Sequence, residues 1–424
     1  MVHIAFDAGL IHLGDVRLMS EYTRILSAKG GPRKFLSEKF RECMQENMFQ
    51  VLHVVGARPN FMKVAPVMRA LSARPGVSQV LLHTGQHYDR NMSEVFFRQL
   101  GIPEPDDNLE VGSGSHAVQT AEIMVRLERV VTSARPDVVL VYGDVNSTVA
   151  AALVCSKLGI PVGHVEAGLR SFDRSMPEEI NRLVTDQISD LLFTPSEDGN
   201  ENLVREGVAP EKIFLVGNVM IDTLARMLPL AEAKGDSLRG RLGLAKAYGL
   251  VTLHRPSNVD KVETLREIVA ALSDISSGLQ LLFAVHPRTR QLLNGMGFSA
   301  SASRLKLVDP LGYVEFLALQ QRASMVITDS GGIQEETTYL GIPCLTVREN
   351  TERPATVTLG TNILVGRDMD RLRLEAAQII KGKGKAGGIP PLWDGKASDR
   401  IAGIITSMMS ALSSKTKRSM RLSP

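Results

Sequence analysis

The chain has 424 residues, 44% of them hydrophobic and 22% charged, enough apolar material for more than one buried core and too much for a disordered chain. Lys and Arg (49) nearly balance Asp and Glu (46), so no global field points to nucleic acid or to a membrane surface. Three scattered cysteines, Cys43, Cys155 and Cys344, exclude a disulfide framework and a cysteine-built zinc site, and with neither a membrane-length apolar run nor signal-peptide order they indicate a reducing, cytoplasmic location.

Residues 1–47 carry no strong α/β signature and read as a peripheral extension, or as an artefact of the gene start if translation begins at Met48. From Gln50 onward, short apolar runs alternate with segments of helical spacing. The runs are QVLHVVG, QVLLHTG, DVVLVYGD, PVGHVEAG and DLLFTP, with helical stretches such as FMKVAPVMRALSA and STVAAALVCSKLG between them. Continuous β-branched runs suit strands covered on both faces, which predicts parallel sheets. After FLVGNVMIDTLARM a second series follows: LVTLHRP, LQLLFAVHP, LKLVDPLG, SMVITDSGG, IPCLTV and NILVG. The expected architecture is α/β, two doubly wound Rossmann-like domains over residues 48–225 and 226–395, joined near 217–240. Residues 396–424 form a last helix and a basic tail, KTKRSMRLSP, expected to be solvated and disordered.

In open parallel sheets ligands bind beyond the carboxyl ends of the strands, so the informative residues are those that follow strands. GARPNFMK lies between the first strand and the first helix, where backbone amides favour anions and Arg58 and Lys63 add positive charge. It is neither a dinucleotide fingerprint nor a Walker loop, which removes the usual support for a nicotinamide cofactor. TDSGGIQEE repeats the anion-binding logic in the second domain: Ser330, Gly331 and Gly332 are placed to hold a diphosphate, and Glu336, just over one helical turn on, to accept from a ribose hydroxyl pair. Arg353, in TERP, is a further phosphate or sugar contact. Asp144 and Glu166 end successive strands and Glu178 follows Pro177 at a helix start. Three carboxylates in one partly dehydrated cleft are expected to raise one another's pKa, as proton transfer near neutrality requires. Helix capping is the rival explanation for Asp144, and a helix-dipole role for Glu178. His254 and Arg255 end a strand facing the same cleft, where they suit a departing diphosphate. His286 is a weaker parallel. No metal-ligand spacing occurs, so neither metal nor organic cofactor is expected.

GARPNFMK, YGDVNS, HVEAGLRSFDRSMPEEINR, the strand-end HR, TDSGGIQEE and TERP together, in this order from about Met48 to about Ile404, resemble the non-hydrolysing UDP-N-acetylglucosamine 2-epimerases. The resemblance implies a two-domain fold of the GT-B type with the active site in the inter-domain cleft. It also implies removal of the carbon-2 proton as UDP leaves carbon 1, a 2-acetamidoglucal intermediate, and re-addition of UDP after protonation from the other face. By that resemblance Asp144, Glu166 and Glu178 are the proton-transfer acids, His254 stands beside the diphosphate, and Arg58, Lys63, Ser330, Gly331, Gly332, Glu336 and Arg353 contact the nucleotide, with Phe316 beside the uracil. A homodimer serving surface polysaccharide synthesis follows by the same analogy, as does closure of the cleft on the UDP-sugar.

The chain departs from the family pattern at Ser257 and Ala355, where glutamates are frequent. It departs again at Asp89, in a stretch with Gln86 and His87 that holds a second UDP-sugar in substrate-activated members; an aspartate there disfavours a diphosphate and predicts weak or absent activation. Competing readings are a 2-epimerase of a modified sugar such as a UDP-2,3-diacetamido uronic acid, a hydrolysing relative, a GT-B glycosyltransferase, and a non-catalytic nucleotide-sugar sensor.

Overall fold

A computed structural model of the protein describes residues 48–86, 100–298 and 304–420, without the side chains of Arg58 and of residues 412–420. The N-terminal extension, His87 and Asp89 lie outside the described residues.

The first sheet contains β1 (Phe49–Val55), β2 (Val77–His83), β3 (Asp107–Asn108), β4 (Val138–Tyr142), β5 (Val162–Val165), β6 (Leu191–Thr194) and β7 (Ile213–Leu215). Its order is β3-β2-β1-β4-β5-β6-β7 and every pairing is parallel. Val138 to Tyr142 are wholly buried, as expected of a β-branched strand covered by helices on both faces. Those helices are α1 (Arg58–Ser72), α2 (His116–Ala134), α3 (Asn146–Lys157), α4 (Pro177–Ile188) and α5 (Glu197–Arg205).

The second sheet, β10-β9-β8-β11-β12-β13, is parallel throughout and comprises β8 (Tyr248–Thr252), β9 (Gln280–Ala284), β10 (Leu305–Val308), β11 (Met325–Thr328), β12 (Cys344–Thr346) and β13 (Asn362–Leu364). Both sheets reverse direction of winding once, between β1 and β4 and between β8 and β11. These two switch points are where an open α/β sheet leaves a crevice for ligand. The apolar runs of the sequence all became strands. The short β3 and β7 were not expected, because two or three half-buried residues leave no distinct apolar run.

The predicted junction is one continuous helix, α6 (Val219–Arg241). Its first residue, Val219, packs in the first core, whereas Leu224, Met227, Ala231 and Leu238 pack in the second, so the linker is itself core structure in both units. The final helix, α14 (Ala397–Met420), returns to the first unit: Ala397, Ile401, Ala402 and Ile405 join its core. Asp222 on α6 anchors that return by accepting from the backbone N–H groups of Ala397 (3.1 Å) and Ser398 (2.7 Å), satisfying donors that a helix start would otherwise leave open. Of the basic tail, residues 415–420 continue the helix rather than unwinding as expected, because ALSSKTKRSM contains neither Gly nor Pro and mostly good helix formers. Cys155 and Cys344 are buried and free. Among the described residues no helix is long and apolar enough to cross a membrane.

Between β8 and β13 stand α7 (Pro256–Val259), α8 (Val262–Ser276), α9 (Pro287–Gly295), α10 (Tyr313–Gln320), α11 (Gly331–Leu340) and α12 (Pro354–Thr358), followed by α13 (Met369–Ile380). The loops that begin α1, α3, α7 and α11 therefore leave the switch-point strands β1, β4, β8 and β11; with the first turns of α1 and α11 they carry Arg58, Asp144, His254, Ser330, Gly331 and Gly332.

Candidate active site

The centre of the site is a chain of alternating charges that crosses between the two units. Glu166 follows β5 in a left-handed conformation (φ 74°), unusual for a non-glycine residue and common where a side chain is being aimed. One carboxylate oxygen meets the ammonium of Lys63 from α1, and the other accepts from Arg353 Nη2 of the second unit at 3.0 Å. Arg353 in turn reaches Glu335 at 2.8 Å through Nε, and Glu352; Glu352 is held by Arg348 at 2.7 Å. Burial pushes the Lys63 ammonium down to about 8, opposed by Asp144 and assisted by Arg353. Lys63, expected beside a phosphate, thus stands against a carboxylate of the first domain.

Asp144, after β4, pairs with Arg182 of α4, whose guanidinium also holds Glu179 at 2.6 Å. Glu179 accepts in turn from the backbone N–H groups of Ser171 (3.0 Å) and Phe172 (2.9 Å), fixing the loop between Glu166 and Glu178. The expected mutual repulsion of carboxylates is therefore replaced by pairing: Asp144 and Glu166 each face cations. Glu178 is exposed at the start of α4, close enough to Arg255 across the cleft to bear on its charge. Asp144 and Glu178 border one cavity of about 320 Å³, together with Gln86, His116, Asn146 and Asn181.

His254 leaves β8 with its side chain 58% exposed and its Nδ1 3.0 Å from Asp329. Asp329 is wholly buried and accepts from the backbone N–H groups of His254 (3.1 Å) and Arg255 (2.9 Å) and from Asn258 Nδ2 (3.0 Å). Burial alone would push its carboxyl up, but His254 and these donors outweigh that and hold it below the usual range. Asp329 fixes the His254–Arg255 turn. The sequence signal was present in TDSGG, but a strand-end aspartate reads as a cap until its partners are known.

Ser330 is the N-cap residue of α11, with Gly331 and Gly332 in the first turn. A Cβ at Gly331 would lie 2.4 Å from Arg353 Nη1 and 2.9 Å from its Cζ, so only glycine lets the guanidinium cross this helix end. Gly331→Ala is expected to dislodge Arg353 and, by the contact that the family resemblance implies for that arginine, to weaken UDP about tenfold by titration calorimetry; unaltered UDP affinity would separate Arg353 from nucleotide binding. Glu336, deeper in α11, is buried, and burial pushes its carboxyl up to about 7. Tyr313 and Gln320 of α10 approach it closely enough to favour the ion, yet Oε2 of Glu336 has no well-formed hydrogen bond. Phe316 lies half-buried on α10, packed against the second core. Arg58 begins α1. Among the described residues no three His, Cys, Asp or Glu side chains are grouped to hold a metal ion.

The family described as UDP-N-acetylglucosamine 2-epimerase matches residues 69–406. The chain belongs to that epimerase family. It is similar to the UDP-N-acetylglucosamine 2-epimerase of Methanocaldococcus jannaschii, 44% identical over 361 residues that cover 83% of this chain and 98% of the relative. It is also similar to the UDP-2,3-diacetamido-2,3-dideoxy-D-glucuronate 2-epimerase of Pseudomonas aeruginosa, 42% identical over 358 residues, 83% of this chain and 98% of that one. Among solved structures, the M. jannaschii epimerase in complex with UDP-GlcNAc and UDP superposes with a TM-score of 0.76 at 43% identity, covering 84% of this chain and 99% of that one. As a member of an epimerase family this protein is an isomerase, and its two parallel-sheet domains are those of its GT-B-like structural neighbours.

Proposed function

We propose that the protein interconverts UDP-N-acetylglucosamine and UDP-N-acetylmannosamine. The observation that carries this reading is the Glu166–Arg353 contact at 3.0 Å, which sets an acidic, strand-end cluster of the first domain against the N-terminus of α11 in the second. In the proposed course a carboxylate takes the proton from carbon 2, the carbon 1–oxygen bond breaks, and UDP departs with that electron pair. The resulting 2-acetamidoglucal is protonated on its other face, and UDP adds back to carbon 1. Asp144, Glu166 and Glu178 carry the protons, with base and acid left open among them. His254, Arg58, Lys63 and Arg353 offset the charge of the leaving diphosphate, which Ser330, Gly331 and Gly332 receive on backbone amides. Glu336 accepts from the ribose hydroxyls and Phe316 lies beside the uracil. In this reading the enzyme works as a cytoplasmic homodimer that supplies surface polysaccharide synthesis.

The second reading is a UDP-2,3-diacetamido uronic acid as substrate. It is favoured by the P. aeruginosa relative at 42% identity and by Ser257, exposed on α7 where many family members carry glutamate. Proton NMR of each UDP-sugar with the protein in deuterated water separates the two: carbon 2 exchanges its proton only in the true substrate. Exchange in neither sugar overturns both readings, and free UDP rising in step with turnover replaces them with hydrolysis.

A further inference from the structure

Beneath the carboxylates lies a buried polar group that the proton-transfer scheme does not use. His164 stands in β5, two residues before Glu166, with no exposed surface. Its Nε2 is 2.8 Å from the carbonyl oxygen of Gly143, and its Nδ1 is 2.6 Å from Asp186 of α4. Both partners are acceptors, so each ring nitrogen is placed to donate. The other oxygen of Asp186 accepts from the backbone N–H of Gly168 at 3.1 Å and from Arg170 at 2.7 Å. Arg170 is locked by Glu206, at 2.8 and 2.6 Å, and by the carbonyl of Leu169 at 2.7 Å. Burial pushes the Asp186 carboxyl up, but His164 and Arg170 outweigh it and keep the carboxyl ionised.

The end points of this cluster are what give it meaning. Gly143 immediately precedes Asp144, and Gly168 lies two residues after Glu166. Gly143 (φ 64°), Glu166 (φ 74°) and Gly168 (φ 79°) all sit in the left-handed region, which the two glycines adopt freely and which at Glu166 persists only where its surroundings dictate it. Buried ion clusters contribute little net stability compared with well-packed apolar side chains, so stability alone is a poor reason for burying this one. We propose that His164, Asp186 and Arg170 form a pin that clamps the turn bearing Asp144 to the turn bearing Glu166, and that they act as positioning residues for proton transfer at carbon 2. This rests on the epimerase reading.

The test compares His164→Leu with His164→Gln, whose amide can still donate to the Gly143 carbonyl but carries no charge. Turnover of UDP-N-acetylglucosamine or of its diacetamido uronate counterpart, UDP affinity and thermal melting are measured for both variants and the wild type. His164→Leu is expected to lower kcat about 100-fold, the scale of a misplacement of about 1 Å in a catalytic group, with KM and UDP affinity changed less than about threefold. His164→Gln is expected to recover about tenfold of that loss. A kcat for His164→Leu within about twofold of wild type overturns the pin. So does an equal fall in both variants accompanied by a matching fall in UDP affinity, which would be general loss of structure. Nitrogen-15 NMR of the wild-type protein gives a separate reading, since His164 must show two protonated ring nitrogens and a single-proton ring overturns the assignment. If the wild-type protein turns over neither sugar, the epimerase reading fails, and the nitrogen spectrum still decides whether the pin exists.

Discussion

Glu166→Gln is expected to reduce turnover by about 100-fold or more while UDP still binds within a few-fold of the wild-type affinity. The loss of a general acid or base typically costs ~10²–10⁴ in rate, and among the described residues Glu166 is the one carboxylate aimed by a left-handed backbone at both a lysine and an inter-domain arginine. The amide keeps the shape of the side chain but cannot carry the proton. It also leaves the buried Lys63 ammonium without its counter-charge, which favours the neutral amine at a group already pushed down to about 8. Arg353 loses less, because Glu335 and Glu352 remain to hold it. Nucleotide affinity should therefore fall only a few-fold, from the weakened Lys63 charge, while proton transfer fails. Asp144→Asn is expected to act in the same direction, with Arg182 retained by Glu179. Turnover assayed by carbon-2 deuterium incorporation, beside UDP titration, checks both. Unchanged turnover in the two variants together would sink the proton-transfer role of the cluster and favour a sensor.

Much of the scaffold was legible because parallel strands covered on both faces must be continuously apolar, and runs such as DVVLVYGD can hardly be anything else. The ends of those strands then located Asp144, Glu166, His254 and Ser330 without any knowledge of the third dimension. What the sequence withheld was pairing. Arg182 and Asp186 belong to α4, whose helical period shows which face is buried but not that this face packs beneath the turns after β4 and β5. The same limit hid Asp329 as the clamp of His254 and Lys63 as the partner of Glu166. It also led to the expectation that the carboxylates would repel one another, since repulsion follows from counting acids and relief follows only from seeing the cations between them. The return of α14 to the first core was hidden for a related reason: an amphipathic helix announces that it packs, not where.

Glu336→Gln is expected to make the protein more stable at pH 8 and at the same time a weaker binder of UDP. The folded carboxyl, pushed up by burial to about 7 from an ordinary 4.5, holds its proton longer than it does in the unfolded chain. Between those two values the folded state binds more protons than the unfolded, so this group's contribution to stability falls as pH rises, and the fall is complete above pH 7. At 1.36 kcal/mol per pKa unit the penalty is about 3 kcal/mol. Glutamine has the same shape and no charge to desolvate, so the penalty disappears. The melting temperature should rise by several degrees at pH 8 and hardly change at pH 4.5. The wild-type protein carries this cost with Oε2 of Glu336 lacking a well-formed hydrogen bond, although Tyr313 and Gln320 stand near the carboxylate, so this oxygen can still accept from a ligand donor. In the proposed binding mode a ribose hydroxyl pair supplies two such donors to the ion, and hydrogen bonds to charged groups are worth about 1.5–3 kcal/mol each. Wild-type affinity for UDP should therefore weaken as pH falls from 8 to 6 and Glu336 takes up its proton. The variant should bind about tenfold more weakly at pH 8, with a flatter pH profile. Melting curves and UDP titrations at both pH values decide it. A melting difference independent of pH would remove the buried charge from the explanation, and a pH-independent wild-type affinity would remove Glu336 from the ribose.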